Sequence, residues 1–491
     1  MSFTRSPWSV LDLPRKTDRF VFATGNEFAS LDPATGTPVA TLRTSTPSDC
    51  TDAIASSCGA ARAGIWASRP AVRSDTLYEW SRSLLAHQFE LAELLTREQG
   101  KSLQEARIEV AETANQFRYY AGLARVYAGR AISPGPGIEC VSLQEPMGVV
   151  GIITPWNWPL ILLAKSLAPA LAAGNACVIK PAEDTPAIVI QALSLMLSAA
   201  DVPMGVVSCL LGDGPTVGSA LVGNPRVDMV AFTGSAATGR EVAAAAGRAL
   251  QPITLELGGK SPSVVFADAD QHKVVAGILA ASITTSGQMC TAGSRVLVEE
   301  SISDRLGASL TQALSGMQVG DGLDERTAIG PLISDRQRQR VIAYVDQGKK
   351  EGSVLFEGAI PASLDRADGF FVAPIIFDDL PRESILHREE IFGPVITIQA
   401  CAGEDEMIEE ANATPYGLAA GLWTSDVRRA WRVARALDVG TVWVNTHNQF
   451  YPEIETGAWK QSGFGDSQGI AGLARFTHAK LVNFDGRAEM W

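Results

Sequence analysis

The chain has 491 residues, with 41 Lys and Arg against 54 Asp and Glu, a formal net charge of -13, and 46% hydrophobic and 19% charged residues. That length predicts about two or three packed units rather than one core, the acidic balance argues against a nucleic-acid or anionic-membrane surface, and the composition is that of a folded chain without extended disorder. Seven cysteines, at 50, 58, 140, 177, 209, 290 and 401, form no CxxC, which suits a reducing compartment better than a disulfide framework and leaves no cysteine-based metal site. The five histidines, at 87, 272, 387, 447 and 478, make no spaced metal cluster. The opening stretch, Met1 to Arg5 followed by Asp12, Arg15, Lys16 and Asp18, lacks an apolar secretory core, and no membrane-spanning apolar run follows. The expected setting is therefore the cytoplasm.

In chain order, Gly25 to Gly36 reads as strand, turn and strand. From Pro47 to Tyr127 the pattern is helical, with Leu77, Trp80, Leu84, Leu85, Leu91, Leu94 and Leu95 as packing stripes, and Trp80 is expected in the core. Gly129 to Val149 is extended. Short apolar strands then alternate with helical or turn-rich stretches: Gly148 to Thr154, Ala176 to Lys180, Val206 to Leu211, Val227 to Phe232 and Ser263 to Phe266. Such alternation predicts an α/β fold with a mostly parallel sheet. A second α/β region follows, with strands expected at Arg295 to Val298, Phe371 to Pro374 and Thr441 to Asn445. The last extended segment, Ala479 to Phe484, needs cover that a partner subunit could supply.

The chemistry centres on Cys290, in Gly287-Gln288-Met289-Cys290, with Glu256 upstream in Glu256-Leu257-Gly258-Gly259-Lys260. A thiol beside a carboxylate base is a covalent catalyst in outline; the plain alternatives are a buried structural cysteine and a surface glutamate. Asn157 could cap the helix after Pro159 or wall a pocket with Trp156 and Trp158. Gly234-Ser235-Ala236-Ala237-Thr238-Gly239 follows an apolar strand and opens a helix near Ala236, which would place main-chain donors at a phosphate. It is not a GxGxxG fingerprint.

Taken together with Thr154-Pro155-Trp156-Asn157-Trp158-Pro159, Lys180-Pro181-Ala182-Glu183, Phe232-Thr233-Gly234-Ser235 and Glu390-Ile391-Phe392-Gly393-Pro394, in this order, the chain resembles the NAD(P)-dependent aldehyde dehydrogenase superfamily, over about residues 20 to 485. The resemblance implies a Rossmann-like NAD-binding domain (1–126 and 147–257), an α/β catalytic domain (258–470) and a small β oligomerisation element (127–146 and 471–491) of a homodimer or homotetramer. It implies Cys290 as the nucleophile, passing through a thiohemiacetal and a thioester, Glu256 as base for the hydrolytic water, and Asn157 with the Cys290 main chain as oxyanion donors. A carboxylate at 256 marks the hydrolytic rather than the CoA-acylating type.

For the cofactor the resemblance implies contacts from Thr154, Trp156, Lys180, Glu183, Gly234, Ser235, Leu257, Glu390 and Phe392. Glu183 on the ribose hydroxyls favours NAD over NADP, while Lys180 leaves NADP open. Trp158, Leu162, Met289, Thr291 and Phe450 match channel-wall positions and are mainly apolar. The expected substrate is therefore an uncharged aromatic or medium-chain aliphatic aldehyde. A semialdehyde or a betaine-type or amino-aldehyde is the alternative, and a non-catalytic cofactor-binding protein is a remote one.

Two stretches depart from the family pattern. Where relatives carry Lys nine residues after Asn157, this chain has Ser166, with its positive charge one residue earlier at Lys165. One residue is about 100° of helical rotation, so Lys165 cannot simply substitute for a group on the Ser166 face, although it is the one candidate cation for a substrate's distal carboxylate. The run Pro452 to Lys460, with Glu453, Glu455 and Trp459, replaces a Pro-Phe-Gly-Gly loop.

Overall fold

The computed structural model describes residues 19–362, 364 and 369–486; the charged opening segment and the last five residues of the expected oligomerisation element lie outside the described residues. Four helices fill the first helical region: Pro47–Ala63, Pro70–Ala86, Gln88–Gln99 and Leu103–Val126. Two of them start at reciprocal capping boxes, Thr46 with Asp49 and Ser102 with Glu105, each of which satisfies first-turn amides that would otherwise be orphaned. Trp80 is fully buried, edge-on to Phe117 at 5.7 Å.

The first large sheet has the order Val21–Phe22, Val207–Leu210, Ala176–Lys180, Val149–Ile153, Met229–Thr233, Ile253–Glu256 and Gly463–Phe464, parallel except for the last pairing. Val149–Ile153 and Ala176–Lys180 are buried at every residue, as strands covered on both faces by crossover helices must be. The second sheet runs Ser353–Glu357, Ile375–Asp378, Val395–Cys401, Arg295–Glu299, Pro262–Val265, Ala419–Trp423 and Thr441–Val444, parallel except for its first pair. A third, antiparallel sheet joins Thr477–Asp485, Ile138–Pro146 and Arg130–Gly135, and leaves Ile132, Leu143, Leu481 and Phe484 exposed. The α/β class, the Rossmann-like sheet and the small β element thus stand as expected.

Phe371 to Pro374 is not a strand, however. The strand begins one residue later, at Ile375, because Pro374 has no N–H to give a ladder; its carbonyl instead accepts from Gly358. Among the described residues no helix is long and apolar enough to cross a membrane.

Candidate active site

Four parallel strands of the first sheet end at one cleft, where their carboxyl ends offer residues from the loops that follow. Ile153 and Thr154, Lys180, Thr233 and Gly234, and Glu256 each line it from one strand end, and Cys290 and Glu390 reach it from the other α/β unit. The cavity is about 1240 Å³. All three expected catalytic residues and all nine expected cofactor residues line it, with Leu162 of the channel set. The other channel residues, Trp158, Met289, Thr291 and Phe450, do not. Trp158 lies with Lys101 Nζ 3.5 Å from its ring centroid, so one face of that ring is taken by the interior. Thr291 is tied to Asn448 and His447, and His447 and Phe450 both pack on Trp443.

Cys290 follows a turn in which Thr285, Ser286 and Gly287 all have positive φ, at 52°, 56° and 75°. Such strain in two non-glycine residues persists only where surrounding bonds over-determine it. Glu105 accepts from Thr285 N at 2.6 Å, and Ser286 Oγ donates to Gly330 O at 2.8 Å. Buried Gln288 donates to Thr285 O and accepts from Ile333 N. A Cβ on Gly287 would sit 2.1 Å from Gly393 O, so only glycine allows the thiol loop and the Glu390–Phe392 loop to touch. Asn157 is buried, and its Nδ2 donates to Gln288 O at 3.0 Å, which brings the amide to the thiol loop.

Burial pushes the Cys290 thiol up to about 12, with the Glu390 and Glu256 carboxylates adding to the rise and the Lys165 ammonium opposing it. Burial likewise raises Glu256, and Lys165 again opposes. The charge at Lys165 thus acts on both Glu256 and Cys290, and its Nζ lies 5.8 Å from the Phe450 ring centroid.

At the cofactor end, Ser235 caps helix Ala236–Arg248, its Oγ accepting from Thr238 N at 3.2 Å. Burial lowers the Lys180 ammonium, against the pull of Glu183 and Asp213. Glu390 accepts from Gly259 N at 3.1 Å, and burial raises its carboxyl to about 7. Trp156 and Phe392 meet edge to face at 5.3 Å. Ser334, Arg336, Gln337 and Arg340, at the start of helix Asp335–Glu351, form a wall that no sequence motif had indicated; only the Ser334 cap could have marked that helix start. Ser462 donates to Gly258 O and accepts from Gly417 N, and Gly463–Phe464 pairs with Leu255 and Glu256, so the atypical 452–460 run leads into the strand that lies beside the one ending at Glu256. His447 is a neutral structural contact: burial lowers it to about 4, and its ring lies 2.9 Å from Thr291 O.

Fold and cleft define a two-sheet α/β protein of enzyme type, with a part-buried thiol at the junction of two mostly parallel sheets. The aldehyde dehydrogenase family model matches residues 20–482, and the chain belongs to that family. It is 40% identical over 455 residues to the betaine aldehyde dehydrogenase of Bacillus subtilis, covering 92% of this chain and 93% of that protein. The crystal structure of a betaine aldehyde dehydrogenase from Staphylococcus aureus in complex with NAD+ superimposes with a TM-score of 0.91 at 34% identity, covering 94% of this chain and 92% of that one. An NAD+ complex of an aldehyde dehydrogenase from Bacillus cereus gives 0.90 at 35% identity, covering 94% and 93%.

Proposed function

We propose that this enzyme oxidises a small charge-bearing aldehyde, of the betaine-aldehyde or amino-aldehyde class, to its carboxylic acid with NAD as acceptor. The observation that carries the substrate class is the 40% identity to a betaine aldehyde dehydrogenase over nearly the whole chain. It favours a charged aldehyde over the uncharged aromatic or aliphatic one that the apolar channel positions suggested.

The cleft fits a dinucleotide. Thr154 Oγ1 is buried on its wall without a protein partner, the Gly234 backbone leaves no room for a Cβ beside Phe232, and the Ser235 cap opens a 13-residue helix toward it. Lys180 and Glu183 would hold the adenosine ribose, and Glu390 and Phe392 the nicotinamide end. When bound, the nicotinamide accepts the hydrogen removed from the substrate carbon.

Glu256 takes the Cys290 proton as the sulfur adds to the carbonyl, which the high thiol value otherwise prevents near neutrality. The Asn157 amide and the Cys290 main-chain N–H hold the oxyanion, so charge develops against donors already in place. After oxidation the acyl group remains on Cys290 as a thioester. Glu256 gives the first proton up to solvent and then deprotonates the water that attacks the thioester; the adduct collapses, the acid leaves, and the Cys290 sulfur recovers a proton from Glu256. Raised by burial, the Glu256 carboxylate is a stronger base than a solvated one.

A second reading has its own observation: Lys165, close enough to act on Glu256 and Cys290 and beside Phe450, would attract a distal carboxylate, which favours a semialdehyde. Initial rates with NAD and NADP across cationic, carboxylated and uncharged aldehydes, without CoA, separate the two. Highest kcat/KM on cationic aldehydes with NAD is the expected result; a carboxylated optimum selects the second reading, and an uncharged optimum overturns both.

Sheet membership supports the division near residue 257, with Gly463–Phe464 returning to the first sheet. The exposed edge strand Thr477–Asp485 supports a dimer or dimer of dimers, and seven free cysteines support a cytoplasmic setting. Light scattering on the purified chain tests the assembly.

A further inference from the structure

We propose that the buried Lys101–Glu109 ion pair is the positioning device for the Asn157 amide, an inference that rests on the reading of Asn157 as an oxyanion donor. Neither side chain is exposed, and Nζ lies 2.6 Å from Glu109 Oε2. Lys101 Nζ also donates to the main-chain oxygen of Asn157 at 2.8 Å and lies over the Trp158 ring. The other carboxylate oxygen, Glu109 Oε1, accepts from Leu160 N at 2.8 Å and from Ile161 N at 3.4 Å. The pair thus grips the chain on both sides of Trp158: the carbonyl of residue 157 before it and the first-turn amides of helix Pro159–Ala173 after it.

Burial works against both charges, lowering the Lys101 ammonium and raising the Glu109 carboxyl, while their mutual attraction opposes each change. Two apolar residues of similar volume would hold the fold as well as such a pair does. They could not bind a carbonyl and two amides, and that is what the ions do here. One helical turn earlier, Glu105 accepts from Thr285 N at the strained turn before Cys290. Residues four apart share a helix face, so one face of helix Leu103–Val126 sets both loops whose meeting point is the bond from Asn157 Nδ2 to Gln288 O. The register between oxyanion donor and nucleophile is carried by Glu105 and Glu109 together with Lys101, none of which lines the cleft.

The test is a cycle on the full chain with K101M/E109M, N157A and the combination of all three, read as kcat per titratable Cys290 thiol, KM for aldehyde, Kd for NAD and melting temperature. K101M/E109M is expected to keep NAD affinity and aldehyde KM within about threefold and to lose kcat by about 100-fold, the scale of one oxyanion donor. N157A should lose a similar factor, and the triple variant no more than N157A alone, because the effects share one route. Wild-type kcat per thiol in a folded K101M/E109M variant, or a multiplied loss in the triple variant, overturns the proposal. Wild-type kcat in N157A overturns the reading of Asn157 and the proposal with it. Should K101M/E109M not fold, E109Q keeps an acceptor for Leu160 and Ile161 while removing the charge. Its expected loss in kcat is about tenfold with unchanged NAD affinity, and no loss overturns the proposal.

Discussion

The loops at the reacting end of the cleft and those at its outer end are held by different means. Around Cys290 and Asn157 the backbone is pinned by buried Lys101 and Glu109 and part-buried Glu105 on other elements, and by buried Gln288 within the thiol loop itself. At the outer end, Glu183, Ser235, Arg336 and Arg340 are exposed, and Lys180 Nζ donates to its neighbour's carbonyl, Pro181 O, at 3.1 Å. The reacting atoms are thus arranged before any ligand arrives, which is what stabilising a developing charge requires.

If that contrast is right, substitutions at the reacting end change kcat and those at the outer end change binding. Cys290→Ala is the harshest test, with kcat expected to fall by about 10⁵-fold or more while NAD still binds; residual turnover close to wild type would move the nucleophile elsewhere. Next, Glu256→Gln should lower steady-state turnover by about 10³-fold, and quenched-flow traces should show whether acyl-enzyme accumulates.

Lys165 sits between the two regimes. Lys165→Met should change the kcat/KM ratio between carboxylated and cationic aldehydes by about tenfold in favour of the cation. It should also move the pH–rate profile toward alkaline pH. The reactive forms of Cys290 and Glu256 are deprotonated, and the Lys165 ammonium lowers both groups; without it both rise, and higher pH is needed to reach the same rate. An unchanged profile would separate Lys165 from the chemistry. Ser235→Ala is expected to be mildest, with a loss of about 1 kcal/mol from the cap and a few-fold weaker NAD binding at unchanged kcat, read by calorimetry and initial rates.

The residues at strand ends were legible because a short apolar run followed by a polar loop is a local pattern; Thr154, Lys180 and Gly234 sit where those runs stop. Ile253–Glu256 carries little strand signal, being four residues that end in an acid, although it places Glu256 at the cleft. The Lys101, Glu105 and Glu109 supports were invisible for another reason. Their partners are 56, 180 and 51 residues away, so only the packed fold creates them. Ser102 and Glu105, three apart, carry the local signature of a helix start, but nothing local shows that the same Glu105 carboxylate also accepts from Thr285 N.

The absence of a side chain at Gly287 lets the carbonyl of Gly393 lie directly against the turn that presents Cys290. A joint without slack behaves as a single lever. Any displacement of the Glu390–Phe392 loop is passed to the sulfur, so the alkylation rate of Cys290 becomes a gauge of what occupies the far side of the cleft.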